Sequence, residues 1–210
     1  MNIAIIGSGT WGTALGQVLI DNGHKVIIYG NCEDQIIDIN ENHKNSFYFG
    51  DKIELPLTLR ATLDIEEAIT PSDVIVLSVP TVALRSVLKQ MKPYLGTKKR
   101  IFINTAKGFE MESNYTMTRV IQEVIPASNR YSVVSLIGPS HAEEVIVRDL
   151  TCISATCFDE HLGKTVADMF SNHYFRVYTN TDVIGAEIGV AMKNAVALAS
   201  GILEGLGYGD

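Results

Sequence analysis

An apolar run, Asn2-Ile3-Ala4-Ile5-Ile6, passes without a spacer into Gly7-Ser8-Gly9-Thr10-Trp11-Gly12, and the stretch from Thr10 to Asn22 then reads as a helix. A strand that turns straight into a helix through three glycines at this spacing leaves few folds open. Gly7 permits the tight turn, Gly9 lets a pyrophosphate come close to the backbone, and Gly12 lets the helix pack against the strand. The helix N-terminus offers free N–H groups and a partial positive charge to that anion. Glycines at such a turn can also serve the turn alone. Here the strand before and the helix after them, at the head of an alternating chain, make the pattern an expectation of dinucleotide binding.

The alternation continues. Further apolar runs at Lys25–Tyr29, Asp73–Ser78, Arg100–Asn104, Ser132–Ile137, Thr151–Ala155 and Phe175–Tyr178 read as strands, with amphipathic stretches between them. The first helix stops at Gly23, a C-cap signal, and Thr81–Met91 reads as a helix with a capping Thr after Pro80 and an end before Pro93. Asn42–Pro56 is polar and aromatic and reads as a loop with one short edge element. The expected class is α/β and Rossmann-like: a mostly parallel sheet flanked by helices over residues 1–180, then the start of an all-helical domain over residues 181–210.

That second part differs in kind. From Gly185 to Leu206 the chain is apolar on nearly every face and rich in Ala and Gly, which predicts a helix buried by other structure. Glycines 201, 205, 207 and 209 loosen it, and Asp210 arrives with no stop signal, so the sequence reads as cut short.

With 210 residues and 46% hydrophobic composition the chain can bury one full core and part of a second. A net charge of −7 argues against a polyanion-binding surface and so against a nucleic-acid partner, while two or three local cations can still hold a small anion. Cys32, Cys152 and Cys157 form an odd set without metal-like spacing beside histidines. They read as ordinary, partly buried thiols in a reducing compartment, and no metal site is expected. There is no basic leader, and no run approaches the roughly 20 apolar residues of a membrane span, so a soluble cytoplasmic protein is expected.

Candidate chemistry gathers where strands end. After the second strand comes Tyr29-Gly30-Asn31-Cys32-Glu33-Asp34, where such a fold meets the adenosine ribose. Asn31 is neutral and no Arg or Lys stands nearby, which leans toward NAD over NADP. Glu33 or Asp34 can accept from a ribose hydroxyl or can simply be first-turn helix acids. Asn104-Thr105-Ala106-Lys107-Gly108-Phe109-Glu110 follows another strand, placing Lys107 at the sheet's carboxyl edge as a cation for a phosphate or a polarised oxygen, or as a solvated loop lysine. Gly138-Pro139-Ser140-His141-Ala142-Glu143 opens a helix at the same edge, and Ser140 with Glu143 reads as a capping box.

Lys193-Asn194 is the sharpest oddity, a lysine inside an apolar helix. Desolvation lowers a lysine pKa toward the range useful for proton transfer, although a structural salt bridge is the plain alternative. Asn194 can orient a substrate hydroxyl or satisfy a helix end. Glu187, nearly two turns earlier on the same face as Asn194, can join either network.

Taken in order, Ile6-Gly7-Ser8-Gly9-Thr10-Trp11-Gly12-Thr13-Ala14-Leu15, Asn22-Gly23-His24, Ala106-Lys107-Gly108-Phe109-Glu110, Gly138-Pro139-Ser140, Phe175-Arg176-Val177-Tyr178 and Lys193-Asn194-Ala195-Val196-Ala197 resemble the NAD(P)-dependent glycerol-3-phosphate dehydrogenases, above all the bacterial type, and Gly201 to Asp210 continues the likeness. The resemblance implies hydride transfer between a nicotinamide and glycerol 3-phosphate or dihydroxyacetone phosphate, supplying glycerol phosphate for phospholipid synthesis. It implies cofactor contacts at Thr10, Trp11, Asn31, Lys107 and Ala142 beside Gly7, Gly9 and Gly12, and substrate contacts at Lys107, Gly138, Ser140 and Lys193. Lys193 is the implied proton acceptor, with Lys107 and Asn194 beside it. Where the family often carries a basic or imidazole side chain, this chain has Asn31. Members of the family continue into a helical domain that supplies an Asp, an Asn and an Arg. A related hydroxy-acid dehydrogenase and a nucleotide-binding module without turnover are the rival readings, and a homodimer stays open.

Overall fold

The computed structural model describes residues 1–208; Gly209 and Asp210, the last of the loosening glycines and the chain end, lie outside the described residues. The strands are β1 Asn2–Ile6, β2 Lys25–Tyr29, β3 Arg60–Thr62, β4 Val74–Leu77, β5 Arg100–Asn104, β6 Arg130–Ile137, β7 Thr151–Thr156 and β8 Phe175–Asn180. The helices are α1 Thr10–Asp21, α2 Glu33–Ile37, α3 Ser46–Phe49, α4 Ile65–Ile69, α5 Thr81–Met91, α6 Met117–Val124, α7 Ala142–Ile146, α8 Glu160–Phe170 and α9 Val183–Gly205. Every strand expected from the apolar runs is present at nearly the expected bounds.

The sheet runs in the order β3-β2-β1-β4-β5-β6-β7-β8. Neighbours are parallel except β6 and β7, which pair antiparallel from Ser135 opposite Thr156 to Ile137 opposite Ser154. β1 sits inside it, with Ile3 opposite Val74 on one side and Val26 on the other. Alternate side chains of a strand point to opposite faces, so a strand buried on both must be apolar throughout. In β1, Ile3 and Ile5 join Leu15, Val18 and Leu19 of α1, while Ala4 and Ile6 join Leu84 and Leu88 of α5. The result is a doubly wound, Rossmann-like arrangement. Its strand order reverses between β1, which leads outward to β2 and β3, and the parallel β4, which leads the other way.

Local chemistry explains most element ends. α1 closes with Gly23 at φ 79°, its N–H donating to the Ile20 carbonyl at 2.8 Å and that of His24 to the Leu19 carbonyl at 3.0 Å, as the C-cap signal implied. Two expected caps are not formed. α5 does begin at Thr81, but Pro80 is its N-cap and no side chain caps it; the fixed φ of proline, −56°, already sets the entry. α7 takes His141 as N-cap with no side-chain bond, so Ser140 and Glu143 make no capping box. The polar stretch after residue 42 contains one helical turn, α3, and no strand. The sheet edge is instead β3, Arg-Ala-Thr, which is too short to show alternation.

The expected burial of the last helix is not met among the described residues. Along α9 the buried positions are Val183 and Glu187. The helix leaves the sheet after its first turns, and its remaining apolar faces have no second layer to pack on. By length and composition it is also long and apolar enough to cross a membrane, with a mean hydropathy of 1.3 in its best window, of which 11% is buried. That corrects the expectation that no run approaches such a length: interspersed Ala and Gly hide the run from the eye while keeping it nearly free of charge.

Candidate functional site

The topological reversal between β1 and β4 opens a cleft of about 570 Å³. Its walls include Gly7, Gly9, Thr10 and Trp11 from the first turn, Asn31 beyond β2, and Pro80 beyond β4. Open α/β sheets bind ligands at such a point because the strands on either side send their following loops apart.

The glycine turn is sterically dictated. Gly7 has φ 119°, and a Cβ there would run into the Ser78 carbonyl. A Cβ on Gly12 would run into the Gly7 carbonyl, so α1 could not lie this close to β1. At Gly9 an added Cβ meets nothing within 4 Å, leaving the approach to the backbone open. Gly9 is also the N-cap of α1, and no side chain caps the helix. The first amides of a helix lack intrahelical acceptors, so this uncapped turn presents N–H groups and a positive dipole end to the cleft. A pyrophosphate suits that donor set, and an open backbone at Gly9 suits its bulk.

Sequence reasoning missed the groups that hold the turn. Asn45, 1% exposed, donates through Nδ2 to the Ser8 carbonyl and to Thr13 Oγ1, both at 2.9 Å. Ser8 Oγ donates to Gln35 Oε1 at 2.9 Å. Asn45 belongs to the aperiodic polar stretch, where nothing separates a buried clamp from a solvated loop residue. Glu33 and Asp34 occupy the first turn of α2 and are exposed, as dipole-favouring acids would be.

Lys107 directly follows Thr105 and Ala106, which line the cleft. Its Nζ donates to the Gly138 carbonyl at 3.0 Å and stands 5.7 Å from the centre of the Trp11 ring. Burial draws its ammonium below the ordinary lysine range, and the positive charge of Lys193 adds to the effect. The structure thus brings together three expected segments, the glycine turn, the Lys107 loop and the Gly138 turn. The buried Oγ of Ser140 and the buried Nε1 of Trp11 have no hydrogen-bond partner among the described residues. Both are polar groups that a ligand can satisfy. Ala142 is buried at the start of α7, and a Cβ added at Gly138 would press on Ile153 at 3.0 Å. The Lys107 loop is anchored downstream by Arg85, whose Nε and Nη2 donate to the two oxygens of Glu110 at 2.7 and 2.8 Å. That fork, with a bond from Ser113, holds the Glu110 carboxyl down to about 2.

Lys193 and Asn194 do not close the cleft. Both are exposed on α9, so the expected desolvation of Lys193 is absent among the described residues. Glu187 does become buried, at 4% exposure, but joins neither lysine nor Asn194. Its Oε1 instead accepts from Ser135 Oγ at 2.8 Å, Thr118 Oγ1 at 2.9 Å, Thr118 N at 3.1 Å and Asn104 Nδ2 at 3.3 Å.

Fold and cleft define a Rossmann-like α/β protein with a ligand cleft at its switch point, lined by uncapped helix amides and flanked by a partly desolvated lysine. Within that class the chain belongs to the NAD-dependent glycerol-3-phosphate dehydrogenase family: residues 2–163 match the family's N-terminal part and residues 182–210 its C-terminal part. It is 50% identical over 208 residues to glycerol-3-phosphate dehydrogenase [NAD(P)+] of Streptococcus equi subsp. zooepidemicus, covering 99% of this chain and 61% of that protein. The fold matches the crystal structure of glycerol-3-phosphate dehydrogenase from Coxiella burnetii with a TM-score of 0.87 at 30% identity, covering 100% of this chain and 62% of that one. It also matches the yeast enzyme GPD1 with a TM-score of 0.88 at 27% identity, covering 100% and 65%. The chain thus spans about three fifths of the length of the curated relatives it matches, 61% of the Streptococcus protein.

Proposed function

We propose that this chain is the cofactor-holding part of an NAD(P)-dependent glycerol-3-phosphate dehydrogenase together with the first helix of its substrate domain. The observation that carries the reading is the open glycine turn facing the cleft, with the Lys107 ammonium 5.7 Å from the centre of the Trp11 ring that lines it. The first-turn amides around Gly9, Thr10 and Trp11 hold the pyrophosphate, and Gly7 and Gly12 make that turn possible. Asn31 meets the adenosine end, where no Lys or Arg lines the cleft among the described residues, which favours NAD over a 2′-phosphate. When bound, the nicotinamide supplies the hydride chemistry.

The rest falls to side chains of this chain. Lys107, with Ser140 and the backbone near Gly138 and Ala142, holds the polar end of glycerol 3-phosphate or dihydroxyacetone phosphate. Burial draws the Lys107 ammonium below its ordinary range, and its Nζ, which donates to the Gly138 carbonyl, can donate likewise to a substrate oxygen beside it. Lys193 takes the hydroxyl proton during oxidation and returns it during reduction, and Asn194 steers the hydroxyl toward it. The match of residues 182–210 to the family's C-terminal part supports reading α9 as a helix that packs inside that domain and not as a membrane span. Three free cysteines support a reducing, cytoplasmic setting, and a product destined for phospholipid synthesis follows from the substrate. A homodimer without a nucleic-acid partner belongs to the same reading.

The exposure of Lys193 favours a second statement about the 210-residue chain itself: it binds cofactor and turns over little. The test is an assay of dihydroxyacetone phosphate-dependent NAD(P)H consumption, by nicotinamide absorbance, on this chain and on a form continued to the full length of its relatives. Turnover in the longer form with little in the chain itself is expected. Absence of turnover with this substrate in the longer form would overturn the assignment.

A further inference from the structure

Glu187 is a buried acidic side chain with no cation bonded to it among the described residues. Its Oε1 takes hydrogen bonds from Asn104, Thr118 and Ser135, and Oε2, also buried, has no partner among the described residues. Burying a charge this way is costly unless the surroundings replace water's hydrogen bonds. They do so here with the N-terminus of a helix. α6 begins after Thr116 with no side-chain cap of its own, and the amide of Thr118 in its first turn donates to Glu187 instead. A residue from α9 therefore caps α6, in the place where a negative charge is most favoured.

The same oxygen reaches the loop that carries Lys107. Asn104 Oδ1 accepts from the Ala106 amide at 3.0 Å, and Asn104 Nδ2 donates both to the Ala106 carbonyl and to Glu187 Oε1, each at 3.3 Å. The Asn104 side chain thus sets the turn that precedes Lys107, and Glu187 sets Asn104. On α9, Lys193 follows six residues later, about 9 Å along the axis and roughly 240° around it. Val183 and Glu187 are the buried positions of α9 among the described residues, and Asp182 caps its start by accepting from the Gly185 amide at 2.8 Å. Of these, Glu187 is the one that touches both the helix of one lysine and the brace of the other.

We infer that Glu187 is a positioning residue. Through Asn104, Thr118 and Ser135 it fixes the rotational phase of α9 against the Lys107 loop and so sets Lys193 opposite Lys107. The inference rests on the reading of those lysines given above.

Two measurements test it. The first is hydrogen–deuterium exchange on the chain, which needs neither cofactor nor turnover. Glu187→Ala should raise exchange by about tenfold or more both in residues 104–107 and in the first turns of α9. Glu187→Gln, which keeps an acceptor oxygen, should leave both near their original rates. Thr118→Val, which removes one donor at similar volume, should move both in the same direction by less, and serves if Glu187→Ala does not fold. The second is kinetics in the form continued to the length of the relatives. Glu187→Ala should lower kcat by about 10- to 100-fold through misplacement, with the dissociation constant for NAD(P)H within about twofold, and Glu187→Gln should restore most of it.

Exchange rising in α9 while residues 104–107 stay protected would overturn the coupling. A lower Tm with unchanged kcat in Glu187→Ala, or an equal loss in Glu187→Gln, would overturn the positioning role. Failure of the unsubstituted longer form to use dihydroxyacetone phosphate would instead sink the functional reading, and the exchange pattern would still decide whether Glu187 joins loop and helix.

Discussion

The glycine turn is held from every side by its own domain, whereas Lys193 and Asn194 stand on a helix held at its first turns. Gly7 and Gly12 touch backbone wherever a side chain would go, and Asn45 clamps the turn from below. α9 carries Lys193 into solvent beyond Glu187, the one buried acidic residue among those described. Part of the site is therefore complete within the sheet, and part depends on packing that the sheet does not offer. On the proposed reading, a binding function is finished in the first region while the catalytic geometry in the second is still open.

That contrast can be broken by substitution. In the longer form Lys193→Ala should cost roughly 100- to 10,000-fold in turnover, the usual toll for a lost general acid or base. In the 210-residue chain the same change should leave stability within about 0.5 kcal/mol, because an exposed side chain is removed. Near-normal turnover would return Lys193 to the surface lysines.

Gly12→Val should do the reverse. A side chain forced onto the Gly7 carbonyl is expected to cost about 4 kcal/mol or more, among the larger effects of any single change. For a domain of this size that lowers Tm by roughly 8–16 °C. A calorimetric melt within a degree or two of the original would show that α1 can move away from β1, and the turn would no longer be sterically dictated.

Most of the sheet was legible because strands buried on both faces must be largely apolar: β4 is so throughout, and β1 and β5 are polar only at their ends. β3 was not, since three residues of mixed polarity carry no period. The glycine turn and Lys107 could be read from the strands they follow, because the carboxyl edge of such a sheet is fixed by chain direction. Asn45 could not, for its burial comes from a loop folded back by contacts far away in sequence. Ser140 was legible as a polar residue at the right edge but misread as a cap: the chain enters α7 one residue later, at His141, and leaves the hydroxyl buried without a partner. Lys193 was legible as an anomaly and misread as buried, since an apolar helix implies a partner without saying which chain segment provides it. Glu187 was legible only as a neighbour on the face of Asn194, able to join either network, and proved instead to be a residue that docks that helix.

The most direct test of the central claim is a calorimetric titration of the 210-residue chain with reduced nicotinamide dinucleotide, beside Gly9→Val. Gly9 has φ −72° and ψ −177°, a conformation open to valine, and its Cβ position is free of protein atoms, so the variant should fold and melt as the parent does. Its side chain would stand in the approach to the helix amides. The account expects saturable binding to the parent chain and an affinity at least about tenfold weaker, some 1.4 kcal/mol, in the variant. Equal affinity in the two proteins would remove the glycine turn from the site and contradict the account.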